Sequence, residues 1–295
     1  MKNYFKLLSL IMVVTLFSCA SCSKDDSVIT PTPSTTTIAT GVISPGTDPN
    51  FTIVANTDAD FTGLNRKVIV FGIPIYAVET VDDSKLLHAA NLMAQYLDND
   101  EDGTIDNQAV IDAMLANNAF MFMWKSESDQ NTVSMPDNAE GQDLGNDETI
   151  PVWHTNGHIG QFDAALEEVW HIITHAGYAS AYPAVFGEGA GTSLSNAMDI
   201  ARGGNFTTIP NPYPNGAWYT YDDATCTYDC MTTEYMYWSM SSILGAQANR
   251  LGEISQEWDL NTNALVQSTD TVVYGLLTDP QYKFPTVLPD GTYMQ

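Results

Sequence analysis

Four of the five histidines in this chain of 295 residues lie between His154 and His175, arranged as two His-x-x-x-His pairs. On a helix, residues four apart share a face about 6 Å apart along the axis, so both imidazoles of such a pair can reach one cation. The window from Gln161 to Ala176 tests that directly. At about 100° per residue, Phe162, Ala165, Leu166, Val169, Ile172, Ile173 and Ala176 form one apolar stripe. Glu167, Glu168, His171 and His175 lie opposite it. That second face is either a solvated polar side or a cleft-facing metal helix. His154 and His158 flank Asn156 and Gly157 in a loop, where they are a second metal pair, a cleft wall or simply exposed. His88, between Leu87 and Ala89, is expected to be a hydrogen-bonded residue of a helix core.

A second constellation uses oxygen alone. Asp98-Asn-Asp100-Glu-Asp102-Gly103-Thr104-Ile105-Asp106 has carboxylates at loop positions 1, 3, 5 and 9. Gly103 stands at 6 for the sharp turn, and Thr104 offers its carbonyl at 7, the pattern of an EF-hand calcium loop. Position 12 is Ala109 rather than a bidentate Glu, so Asp112 or water must complete the shell and affinity is reduced. In an extracellular setting a weak site still fills, and calcium would staple the two flanking helices.

Glu168-Val-Trp-His171-Ile-Ile-Thr-His175-Ala-Gly177-Tyr resembles the metal-binding helix of zincin metallopeptidases. Downstream, Tyr228 followed by Glu234-Tyr-Met-Tyr-Trp238 resembles the matching stretch of anthrax-lethal-factor-type zincins. The resemblance implies a zinc ion held by His171, His175 and Glu234, with Glu188 as a second candidate for third ligand and Tyr228 assisting the oxyanion. It covers about 85 residues. The family's general base belongs at position 172, where this chain has Ile172. Glu168, one turn earlier, is the remaining candidate for that role, and an inactive relative that keeps the metal is equally compatible.

Behind these sites stand the segments that must position them. Lys2 and Lys6, the apolar run Leu7–Phe17 and the small residues before Cys22 describe a lipoprotein signal peptide over residues 1–22. Either Cys19 or Cys22 carries the lipid. Ser23-Lys24-Asp25-Asp26 resembles the export tag of Bacteroidota surface lipoproteins, which implies an outer-membrane, cell-surface location. Residues 23–65, rich in Thr and Pro, form a tether, with folded structure expected from about Arg66.

Residues 66–148 are expected to hold a strand over 67–78, helices over 82–97 and 107–116, a strand over 119–124 and a long acidic loop over 126–149. Residues 149–295 are expected to hold a short strand over 149–153, the histidine helix, a helix over 193–201 and another from Thr232 to about Leu251. The fold class is therefore α+β: helix-rich, with a small mixed sheet, a calcium helix-loop-helix in the first half and a zincin-like second half. Cys226 and Cys230 form a small-loop disulfide. Asp199 and Arg202 form a helix-surface ion pair.

The aromatic stretch Trp218, Tyr219, Tyr221 and Tyr228 is either a lid on the core or a surface for glycan or protein. A net charge of −26, from 36 Asp and Glu against 10 Lys and Arg, excludes nucleic acid as a partner. Two functions remain: metal-dependent hydrolysis, most naturally of peptides, or a non-catalytic calcium-stabilised module that binds an extracellular glycan or protein.

Overall fold

The computed structural model describes residues 48–294. The signal segment and both candidate lipidation cysteines lie outside that range.

One five-stranded mixed sheet carries the fold, in the order β1 (Val54–Ala55), β2 (Arg66–Val70), β3 (Ile73–Ala77), β4 (Phe120–Trp124) and β5 (Gly141–Gly145). The first three strands are antiparallel neighbours, whereas β3, β4 and β5 run parallel. The expected single strand over 67–78 is in fact a hairpin. Phe71 and Gly72 both take positive φ, 47° and 91°, the turn that matches the twist of paired strands, and Val70 pairs with Ile73.

A parallel β3–β4 pair needs a crossover. Helices α1 (Asp83–Leu97) and α2 (Gln108–Ala116) provide it, and the Asp98–Asp106 loop lies between them. Residues 141–145, expected within an acidic loop, are the edge strand β5. The expected strand over 149–153 is absent; a helical turn, Val152–Thr155, stands there. Order also starts well before Arg66: Val54 pairs with Lys67, and the ring of Phe51 stacks on Tyr293.

The histidine helix α3 (Ala165–Ile172) packs on α1 and on the β4–β5 side of the sheet. From Ile173 to Tyr178 it widens into a π-helical turn. Gly177 lets that turn lie directly on α2, since a Cβ there would stand 2.7 Å from Val110 Cγ1. Helix α5 (Tyr228–Leu244) closes the other side of α3, and α4 (Ser193–Ala201) packs on α5. A disulfide joins Cys226 to Cys230 at the start of α5. Tyr219 and Tyr221 are buried and stacked, and Trp218 Nε1 donates to Asp270 at 2.9 Å, so this stretch is part of the core. Arg202 is likewise buried; it donates to the Phe206 carbonyl, while Asp199 accepts from Tyr228 and Asn205. Among the described residues, no helix is long and apolar enough to cross a membrane.

Candidate metal centre

Helix α3 turns its polar face inward, against α5 and β5. His171 and Glu234 are 3% and 2% exposed, and Glu168 is 6% exposed. Glu168 and His171 are therefore buried, while Glu167 and His175 on the same face are half-buried. His171 Nε2 lies 3.7 Å from Glu234 Oε2, and both atoms are buried without a hydrogen-bond partner. Two buried polar atoms that face each other unpaired are costly. Their spacing suits two atoms sharing one cation with bonds of about 2.0–2.2 Å. On the opposite side of the ring, His171 Nδ1 lies 3.5 Å from Glu168 Oε2, and Gln142 on β5 holds that carboxylate at 2.5 Å. A carboxylate behind the distal ring nitrogen is the usual way a ligating imidazole is oriented.

Glu167 completes the cluster. It offers an oxygen within 4.8 Å of donor atoms of Glu168 and His171, and Tyr237 on α5 donates a hydrogen bond to it. Gln247 fixes the Tyr237 hydroxyl at 3.1 Å. Burial and the nearby Glu168 charge push Glu167 up to about 7. Burial and neighbouring carboxylates hold Glu168 and Glu234 well above the ordinary carboxylate range, while burial lowers His171. Three crowded acids and a neutral imidazole form a donor set that a divalent cation would relieve.

The structure separates the two histidines of the helix. His175 points its Nδ1 at both oxygens of Glu188, at 2.9 and 2.8 Å, and its Nε2 lies 3.4 Å from Glu140 Oε2. Although burial opposes protonation, Glu188 and Glu140 raise His175 to about 9, so it is an imidazolium at neutral pH. The π turn begins between the two residues, and its wider winding redirects His175. Glu188 is also taken by Thr233 at 2.7 Å.

Tyr228 donates to Asp199 at 3.0 Å rather than facing His171. It precedes Glu234 by six residues on one helix, about 240° around the axis. Ile172 is turned into the apolar core at 1% exposure. The sequence placed Glu167 on the correct face but gave it no role, because the role comes from Tyr237 on another helix. Gln142 and Glu140 were hidden in a segment without periodicity.

Glu257 belongs to the acidic surroundings of this centre. Burial and the Asp222 charge raise it to about 7. A raised acid costs stability only above its unfolded value, and that cost is complete once the pH passes the folded value. Glu257→Gln should therefore raise the melting temperature at pH 8 and leave it unchanged at pH 4. An equal shift at both values would refute this assignment.

In the loop between α1 and α2, Asp98, Asp100 and Asp102 each offer an oxygen within 4.8 Å of the others, a group able to hold a metal ion. Gly103 takes φ 84°, and its N–H donates to Asp98 Oδ2 at 2.9 Å. Thr104 N–H donates to Asp102 at 2.7 Å, and Asp106 accepts from Asn99 at 2.7 Å. Burial and the charges of Asp100 and Asp98 raise Asp106 despite that bond. Asp112 is exposed and accepts from Gln108 at 2.8 Å.

No protein-family model, no curated protein and no solved structure matches this chain, so its chemistry rests on the geometry just described.

Proposed function

We propose that this chain is a lipid-anchored surface metalloprotein in which His171 and Glu234 hold a transition cation, zinc by donor type, and that it hydrolyses peptides. The observation that carries this reading is the pair of facing, buried and unpartnered atoms of His171 and Glu234, 3.7 Å apart. Zinc held there would supply a Lewis acid for a substrate carbonyl. Glu168 orients the His171 ring. Glu167 is only half-buried, is fixed by Tyr237 and sits near neutrality, which suits it to accept a proton at Oε and return it to a leaving amine. Glu167 therefore takes the role first considered for Glu168.

The burial of His171 and Glu234 favours a second reading, in which the cation only holds shape and the protein binds an extracellular glycan or protein. Chelation separates the two. With calcium kept in excess, a zinc chelator should abolish hydrolysis of a peptide library, and zinc should restore it. A drop in melting temperature with no turnover in either state selects the second reading. Loss of one transition-metal ion in His171→Ala, by elemental analysis, is required by both.

For the loop over 98–106 we propose calcium, with Asp98, Asp100, Asp102, Asp106 and the Thr104 carbonyl as ligands, in an EF-hand-like arrangement lacking its twelfth-position Glu. Calcium at a hundred times its dissociation constant should add about 2.7 kcal/mol of stability, or about 5–10 °C in melting temperature. Asp100→Asn combined with Asp102→Asn should remove that increment. A calcium-independent melting curve for the unaltered chain would refute the site.

A further inference from the structure

We propose that His88, His154 and Asp163 form a second divalent transition-metal site, a structural one, separate from the centre at His171. Three segments meet there: α1 brings His88, the Val152–Thr155 turn brings His154, and Asp163 precedes α3. His88 Nε2 lies 2.6 Å and His154 Nε2 lies 2.8 Å from the same oxygen, Asp163 Oδ2. Side-chain exposure is 3% for His88, 2% for His154 and 0% for Asp163. The donor atoms of all three fall within 4.8 Å of one another.

Two imidazoles and one carboxylate are the protein donor set of many zinc, iron and cobalt centres, and here one atom of each lies within 4.8 Å of the others. Two of the three ligands are also held in place. Asp163 Oδ1 accepts the Ile150 N–H at 2.7 Å, which fixes the carboxylate plane. His88 is backed by the chain at Gly291, where a Cβ would stand 2.1 Å from Nδ1, so only glycine lets the backbone close on the ring. The three ligands come from separate segments, so a cation here would tie α1, the Val152–Thr155 turn and the residue before α3 together, a structural role. His158 is not part of the group, because it stacks on Trp153 at 4.3 Å between centroids. The His154–His158 pair of the sequence is thus replaced by a pairing of His154 with a histidine 66 residues earlier.

Without a cation the same contacts are two hydrogen bonds to one carboxylate, and metal stoichiometry separates the two states. The full chain, free of affinity histidines and dialysed against zinc with calcium present, should hold one zinc ion in the His171→Ala background, which removes the imidazole of the other centre. Adding His154→Ala should reduce that to none, and His88→Gln should do the same. Zinc content unchanged by both substitutions would overturn the proposal. If the variants fail to fold by circular dichroism, cobalt titration of His171→Ala alone, with calcium present, still decides: one saturable equivalent with a visible ligand-field band supports the site, and none refutes it. Failure of the His171 centre leaves this result unaffected.

Discussion

Replacing Glu234 by Gln should make the stability order of the two chains depend on metal. With zinc present the unaltered chain should melt higher than Glu234→Gln, by about 5–10 °C at a hundredfold excess over the dissociation constant. In a zinc chelator the order should reverse, with the variant equal to or above the unaltered chain. The reason lies in two atoms. Glu234 Oε2 and His171 Nε2 are buried, face each other and have no other partner. Without a cation the carboxyl is an uncompensated buried acid, held far above its usual range by burial and by Glu167 and Glu168. Gln keeps the shape, removes the ionisable group and can donate an amide hydrogen to His171 Nε2. Buried charges carry this asymmetry generally: replacing a charge without its partner can stabilise, whereas losing the partner of a charge that remains is expensive. Thermal melting of both chains with zinc and with chelator gives four values. The same rank order in both conditions would remove the metal centre from consideration.

Trp170→Ala should cost about 3–5 kcal/mol, or about 6–20 °C in melting temperature. Trp170 precedes His171 and is 1% exposed, with its ring centroid 5.0 Å from Tyr96, 6.1 Å from Tyr178 and 6.0 Å from Phe284. These neighbours come from α1, the π turn and the C-terminal segment, which cannot all collapse into the space vacated. Trp170→Phe should cost under about 2 kcal/mol, since a ring remains and the indole N–H, buried without a partner, is removed. Zinc affinity should fall in the Ala variant and hold in the Phe variant, because the void lets α3 shift against α5. Equal destabilisation by both substitutions would mean that the indole edge, not the packed volume, anchors the helix.

Periodicity carried the reading of α3 a long way. An apolar stripe on one side and Glu167, Glu168, His171 and His175 on the other is a local property of the chain, and the structure keeps both faces. What periodicity cannot supply is the register of a second element. Glu234 reaches His171 because α5 crosses α3 at that height, and Tyr237 reaches Glu167 for the same reason. His175 parts from His171 through a π turn, whose extra residue has no sequence signature strong enough to be read alone. Strand β5 was missed because its residues, Gly-Gln-Asp-Leu-Gly, have poor strand propensity; pairing with β4 orders them.

By itself the sequence determined the local chemistry. It set the Asp98–Asp106 loop, the Cys226–Cys230 bridge across four residues, the amphipathic histidine helix and the α+β class, because spacing along the chain fixes contacts that close within one or two turns. Only the tertiary structure decided which distant groups meet: His171 with Glu234, and His88 with His154 on Asp163. Those meetings depend on how α1, α3, α5 and the sheet pack, and packing is settled by the whole buried surface at once rather than by any single segment.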